Sequence, residues 1–381
     1  MKNPLSILFI SSWYPSKAHA TLGNFVKRHA EAIAELHRVQ VLYIAPLDQK
    51  NAARGVEDFV EKGVETLIVY YRNDALRWWR KWKAFRRGIS ILQQKNQMQF
   101  DIVHLNVIVP AGWQALYLKK KFNLPFVVTE HWTGYDTSER SHPGKKISWL
   151  AARVARAASI ISPVTENLAS AMKNFGLEGV YIVVPNVVDT SVFSVGDKNS
   201  SVTKFLHVSS LHDEQKNISG LLRAWKKATE IRNDIHLSIG GDGPWKRFSN
   251  MANELSITPE TITFFSEKPL TDIAQMMKGS DALILFSNYE NLPCVIVEAL
   301  ASGMAIISTD VGGISEHVDA TRGYLIAKRD EQALINIIYK FCEEKQKFSL
   351  LALRSYAEEH FSITSIAKQF TSIYHKALQS N

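Results

Sequence analysis

The chain has 381 residues, 46% of them hydrophobic and 22% charged. That composition excludes disordered, collagen-like and coiled-coil classes, and the length exceeds what one hydrophobic core organises, so two domains are expected. A formal net charge of +8 favours anionic partners, and two cysteines outside any CxxC pair, Cys294 and Cys342, argue against a disulfide framework or a thiolate metal site and fit a reducing compartment.

The opening stretch MKNPLSILFISSWYPSKAHA has the charge and apolar run of a secretory signal. The run Leu5 to Ile10 is shorter than a signal core, however, and Pro15 and Lys17 interrupt the segment beyond it. It reads as a buried first strand, SILFIS (6–11). VQVLYIA (39–45), DIVHLNV (101–107), PFVVTEH (125–131), SIISPV (159–164) and VYIVVPN (180–186) continue a series of short β-branched runs, the kind a parallel sheet buries on both faces. NFVKRHAEAIAELH (24–37) has the period of a helix, so the rhythm is that of βαβ units.

Inside this series RWWRKWKAFRR, from Arg77 to Arg87, has the most unusual composition of the chain. On a helix Trp78, Trp82 and Phe85 share one face while Arg80, Lys83 and Arg87 share another, which is the pattern of a peripheral helix on an anionic membrane. A surface helix that packs its tryptophans inward has the same pattern, and the sequence leaves both open. No nucleic-acid-binding module accompanies the charge, so a nucleic-acid partner is not expected. No apolar run approaches the roughly 18 residues that span a bilayer. The expected location is cytoplasmic, including the periphery of the inner membrane face.

A turn-rich passage from Pro185 through GDKNSS (196–201) is the expected seam, with domains at 1–185 and 190–359. The strand rhythm then restarts with KFLHVSS (204–210), IHLSIGG (235–241), ITFFSE (262–267), DALILFS (281–287), MAIISTD (304–310) and GYLIA (323–327). Helices fit 220–232, 271–279, 293–302 and 331–346. Ligands of such sheets bind beyond the carboxyl ends of the strands, in a crevice between domains.

NYENLPCVIVE (288–298) places Glu290 and Glu298 eight positions apart around Pro293, which reads as the first residue of a helix. Helix-start amides and the helix dipole favour a phosphate. Two carboxylates would repel it and would instead accept hydrogen bonds from the vicinal hydroxyls of a sugar and a ribose. The implied ligand is a nucleotide sugar. Gly241 and Gly243, in a turn after a strand, read as points of close backbone approach to that ligand. Gly312-Gly313 reads as a tight turn, because no phosphate-loop pattern surrounds it.

The run NYENLPCVIVEALASGMAIISTDVGGISEHV (288–318) resembles the Glu-x7-Glu signature of retaining glycosyltransferases of family 4. The resemblance extends to SSWYPSKAHATLGNFVKRHAEAIA at the start, VVTEHWTGYD (127–136), VPNVVDTSVF (184–193), VSSLHDEQKNISGLLRAW (208–225) and GGDGPW (240–245). It implies a GT-B fold: two Rossmann-like α/β domains with parallel sheets facing across a cleft. The first would bind the acceptor and the second the donor, and a terminal helix from about 360 to 381 would cross back onto the first.

The same resemblance implies that Glu290 contacts the transferred sugar, Glu298 the ribose hydroxyls and Lys216 the diphosphate, and that His131 approaches the donor sugar. Gly23 and Asn24 would face the diphosphate and acceptor. Asn291, Leu292, Pro293 and Cys294 would complete the donor loop, and Phe265 to Lys268 would meet the base through backbone. Ser210 stands where the family usually has an arginine, removing one cationic phosphate contact. Taken singly, His131 is also readable as a satisfied core histidine and Lys216 as a surface lysine, although each stands where α/β ligand sites lie.

The implied reaction moves a hexose from a nucleotide diphosphate to an acceptor hydroxyl on a glycan or a lipid-linked glycan, with retention. The sequence has neither an Asp-x-Asp pattern nor a cluster with metal-ligand spacing, so no metal or cofactor is expected. Two alternatives stay open: a nucleotide-sugar epimerase of the same fold, and a non-catalytic nucleotide-sugar-binding scaffold subunit, to which Ser210 lends weight.

Overall fold

The computed structural model describes residues 4–47, 55–95, 97–135, 144–198 and 200–379, with side chains 145 and 146 excepted. Asp136, at the end of one quoted motif, and Asn199, in the expected seam, lie outside the described residues. The chain forms two compact units. One comprises Met1–Val187 with Ile363–Asn381, and the other Val188–Ser362.

Unit 1 is built on a seven-stranded sheet. Its strands are β1 (Ser6–Ser11), β2 (Arg38–Leu47), β3 (Val56–Glu61), β4 (Val64–Arg72), β5 (Ile102–Asn106), β6 (Phe126–Glu130) and β7 (Ile160–Pro163). Their order is β3-β4-β2-β1-β5-β6-β7, and every described pairing is parallel except β3 with β4. Strands β5 and β6 are buried along their whole length, as parallel strands covered on both faces must be. Helix Ile363–Gln379 buries Ile366, Phe370, Ile373 and Tyr374 in one core cluster with Val26, Ala30 and Ile33 of helix Asn24–Ala34.

Two features depart from the sequence expectation. The β3–β4 hairpin turns at Lys62-Gly63, both at positive φ (46° and 76°), a primed turn made with lysine where asparagine is usual. The run 180–186 is not a strand. Its backbone runs beside β7 through Ile161 N to Val180 O, Ile182 N to Ile161 O and Val184 N to Pro163 O, yet forms a single bridge, Ile161 with Tyr181. Pro163 and Pro185 each lack an N–H, so the ladder cannot extend.

Unit 2 holds a six-stranded sheet in the order β10-β9-β8-β11-β12-β13. The strands are β8 (Thr203–Val208), β9 (Ile235–Gly240), β10 (Ile262–Phe265), β11 (Ala282–Leu285), β12 (Ala305–Thr309) and β13 (Gly323–Ile326), and all described pairings are parallel. The order reverses between β8 and β11. In an open parallel sheet the carboxyl ends at that reversal leave the room in which ligands bind. In unit 1 the same point falls between β1 and β5.

Candidate active site

In unit 2 the segments that leave β8 and β11 converge at the reversal. A relay fixes the first of them: Leu211 N–H donates to Ser209 Oγ (3.1 Å), the Ser209 hydroxyl donates to His207 Nε2 (2.8 Å), and His207 Nδ1–H donates to the Ile284 carbonyl on β11 (2.8 Å). With one nitrogen donating and the other accepting, the ring is neutral, and burial lowers its pKa to about 4. Leu211 is held left-handed at φ 54°. A one-turn helix, Asp213–Lys216, comes next, steadied by the Asp213 carboxylate, which accepts from Ser219 N (2.8 Å) and Ser219 Oγ (2.5 Å). Lys216 therefore closes a helical turn.

Asn288 ties the loop after β11 to that turn. Its N–H donates to Gln215 O (2.7 Å), its Nδ2 donates to Glu214 O (2.8 Å), and its Oδ1 accepts from Arg329 Nε (3.2 Å). Glu290 and Lys216, 74 positions apart, meet as an ion pair through Oε1 and Nζ, with side chains only 6% and 11% exposed. Gln215 Nε2 lies 3.4 Å from Glu290 Oε2. Helix Cys294–Ala301 starts one residue later than the sequence suggests. Pro293, at φ −62° and ψ 131°, is its N-cap, so the first helical amide is that of Cys294. Glu298 is buried within this helix, and Asn291 and Leu292 complete the loop.

The protein's own backbone requires the glycines of this region. A Cβ on Gly241, at φ +145°, would lie 1.8 Å from Ser209 O, and a Cβ on Gly243 would lie 1.9 Å from Ser210 O. Their small size lets the turn after β9 press on the backbone of the Ser209–Ser210 segment, so the close approach belongs to the protein's own chain. Gly312 is a tight turn, at φ +61°, and packs against the carbonyl of Glu290. Ser210 is half-buried in this packing.

The candidates Gly23, Asn24 and His131 lie in unit 1. His131 comes directly after β6 and packs at a tilt against Phe25, with ring centroids 4.2 Å apart, and lies 5.4 Å from the ring of His29. Burial holds His131 well below the usual histidine range. Its backbone is set by Glu130, a residue that no sequence motif singled out. One carboxylate oxygen accepts from His131 N (2.8 Å) and Trp132 N (2.9 Å), and the other from Ile108 N (3.0 Å) and Tyr135 Oη (3.1 Å). Burial raises the Glu130 pKa and these four donors oppose the rise. The available signal was chemical: an acid inside the apolar run PFVVTEH must find donors if it is buried.

Gly23, at φ 78°, caps helix Asn24–Ala34, where a Cβ would collide with the carbonyl carbon of Trp13 at 2.5 Å. Asn24 next to it is exposed. His29 Nε2 lies 3.1 Å from the Pro185 carbonyl, to which it donates, and His29 Nδ1 is buried without a partner. The structure thus joins Lys216 with Glu290, and Ser210 with Gly243. Gly23, Asn24 and His131 belong to unit 1. Among the described residues no three His, Cys, Asp or Glu side chains gather where they could hold a metal ion.

His29 and His207 give the protein a defined pH response. Burial lowers both pKa values to about 4, against about 6.5 in an unfolded chain. Stability from the neutral rings is fully present above pH 6.5 and is lost as the pH falls towards 4, because only the unfolded chain then takes up protons. At pH 5 the loss is of the order of 2 kcal/mol for each ring. Melting temperature should be flat from pH 7 to 8 and fall by several degrees at pH 5. A flat profile down to pH 5 would contradict the assignment.

The two parallel-sheet units define a fold shared with GT-B glycosyltransferases. Sucrose-phosphate synthase from Thermosynechococcus elongatus superposes with a TM-score of 0.80 at 17% identity, over 99% of this chain and 100% of that one. Anabaena HepE in complex with UDP and glucose gives 0.75 at 18% identity, over 97% and 99%. At the level of sequence, the Glycosyltransferase Family 4 model matches residues 22–192 and the Glycosyl transferases group 1 model matches residues 190–360. The chain belongs to the family 4 glycosyltransferases. It is 22% identical over 367 residues, 90% of each chain, to a Bacillus subtilis (strain 168) protein whose name assigns the glycosyltransferase TuaC to teichuronic acid biosynthesis. It is 24% identical over 314 residues, 77% of this chain and 78% of the other, to N-acetyl-alpha-D-glucosaminyl L-malate synthase of Bacillus anthracis.

Proposed function

We propose that the chain transfers a hexose from a nucleotide-diphosphate sugar to an acceptor hydroxyl, with retention at the anomeric carbon, in the assembly of a surface polysaccharide or lipid-linked glycan. The observation that carries this reading is the buried Lys216–Glu290 pair beside the start of helix Cys294–Ala301. It offers a cation for a diphosphate and a carboxylate for sugar hydroxyls at one point. The names of the TuaC relative and of HepE in its UDP and glucose complex support the polysaccharide setting and the nucleotide-sugar donor. Nothing in these likenesses favours the epimerase or scaffold alternatives.

In this reading Glu290 contacts the transferred sugar and Glu298 the ribose hydroxyls. The acceptor approaches on the face that the diphosphate leaves. The bond from acceptor oxygen to anomeric carbon forms as the bond to the phosphate oxygen breaks, and that phosphate oxygen takes the acceptor proton. Lys216 and the helix-start amides stabilise the departing charge. His131, kept neutral by burial, serves as a hydrogen-bonding group near the sugar. No divalent metal is required, and the enzyme works on the cytoplasmic side, in peripheral contact with the membrane through Arg77 to Arg87.

A thermal-shift panel of UDP, GDP, ADP, CMP and dTDP with their common sugars, on wild type and Glu298→Ala, tests the donor site. A ligand at a hundred times its Kd adds about 2.7 kcal/mol to stability. One nucleotide series should stabilise wild type and fail to stabilise the variant. Absence of any response from wild type would reject the donor site.

A further inference from the structure

Helix Arg77–Gln94 carries Arg77, Arg80, Lys81, Lys83, Arg86 and Arg87 and no acidic residue. Phe85 is fully buried and Trp82 packs on Trp113 and Tyr117, with centroids 5.3 and 5.2 Å apart, so these two aromatics of the segment belong to the packing of unit 1. The start of the helix behaves differently. Leu76, Trp78 and Trp79 are 57%, 61% and 53% exposed.

A second helix of the same unit, Lys145–Ala157, is also free of acidic residues and exposes Trp149 by 62%. Trp78 and Trp149 line one apolar groove of about 610 Å³ together with Val109, Pro110, Trp113 and Leu150. Arg77 stands 5.9 Å from the centroid of the Trp78 ring and Arg153 5.3 Å from that of Trp149.

On the opposite flank of helix Arg77–Gln94 lies a basic pocket of about 410 Å³ lined by Tyr71, Arg72, Trp79, Arg80, Lys83 and Arg87. Asp74 lies beside it and pairs with both Arg72 (3.3 Å) and Arg80 (3.1 Å). Lys83 Nζ sits 3.7 Å from the centroid of the Trp79 ring, which lines the same pocket. The 3.6-residue period places Trp78 and Trp82 on one side of the inward face and Arg80, Lys83 and Arg87 on the other.

We infer that this face of unit 1 is a docking surface for an anionic bilayer, with the Trp78–Trp149 groove set among the upper acyl chains and the Arg72–Lys83–Arg87 pocket holding a lipid phosphate. Indole rings favour the bilayer interface, cations favour its anionic headgroups, and here, Arg72 of β4 apart, both come from two helices that carry no acid of their own. Among the described residues no helix is long and apolar enough to cross a membrane, so attachment at this surface is peripheral. The inference deepens the membrane contact of the proposed function but is read without turnover, so the failure of either leaves the other testable.

Flotation of the full chain with vesicles of phosphatidylcholine alone, or with phosphatidylglycerol added, is the experiment. Wild type should partition onto the anionic vesicles about tenfold better than onto neutral ones, and Trp78→Ser with Trp149→Ser should lower that partition about tenfold. Lys83→Gln with Arg87→Gln should remove most of the anionic preference while leaving the melting temperature unchanged. Wild type that stays off anionic vesicles, or a tryptophan variant that binds as well as wild type, would overturn the proposal. If the variants fail to fold, quenching of wild-type tryptophan emission by lipids brominated near the headgroup decides: quenching is expected, and its absence refutes the surface.

Discussion

Lys216→Met is expected to destabilise the protein by about 3–5 kcal/mol, because it leaves a buried carboxylate without its counter-charge. The Glu290 side chain is 6% exposed, and once the ammonium is gone its contact with Gln215 Nε2, at a long 3.4 Å, is a poor replacement. Removing both charges is a different matter. In the double variant Lys216→Met, Glu290→Gln the site holds two neutral groups, and most of the lost stability should return, to within about 1 kcal/mol of wild type. Glycosyl transfer should not return: Lys216→Met, Glu290→Gln alone and the double variant should all fall by a factor on the order of 100 to 1,000, the range seen when a preorganised electrostatic contact to the transition state is lost. Urea denaturation and initial-rate measurements on the four proteins separate the two effects. A single Lys216 variant as stable as wild type would contradict the buried pair. A double variant that transfers sugar at the wild-type rate would remove both residues from the mechanism.

That cycle depends on a contact between residues 74 positions apart, and what the sequence can reveal divides along that line. Strands such as β1, β5, β6 and β12 were readable because a strand covered on both faces is rich in apolar, β-branched residues, whatever it pairs with. The run 180–186 has the same composition but fails as a strand, since the missing donors of Pro163 and Pro185 act across a pairing that composition does not reveal. The exposed strand β3 has the opposite problem: with four exposed residues it carries little apolar signal, and only the Lys62-Gly63 turn and its partner β4 define it. Glu290, Glu298 and Lys216 were picked out as candidates by motifs, but the contact between Lys216 and Glu290 was not. Glu130 was not, because its meaning lies in four donors drawn from Ile108, His131, Trp132 and Tyr135. Gly241 and Gly243 were legible as necessary glycines, yet the reason is internal to the chain: the atoms that demand them are the carbonyls of Ser209 and Ser210.

Gly312→Ala should be among the most damaging single-methyl changes in unit 2. The residue sits at φ +61°, where an L side chain costs about 1–2 kcal/mol before any contact is counted. The added Cβ would then lie 2.0 Å from the Glu290 carbonyl oxygen and 2.7 Å from its carbonyl carbon. Both atoms are backbone, so no rotamer change relieves the overlap, and the loop carrying Glu290 has to move. That movement also strains the bond from Gly313 N to Asn291 O (3.2 Å), the tie between this turn and the helix start. The expected result is a loss of about 2–4 kcal/mol in stability and a fall of at least about tenfold in donor affinity, since Glu290 and the helix-start amides shift together. Gly279→Ala provides the control. It ends a helix of the same unit at φ −94°, and its nearest neighbour would be 3.7 Å away, an ordinary contact, so it should stay within about 0.5 kcal/mol of wild type. Calorimetric melting and nucleotide titration of both variants make the comparison. If Gly312→Ala melts and binds as Gly279→Ala does, the turn does not support the Glu290 loop, and the geometry of the donor site must be held from Asn288 alone.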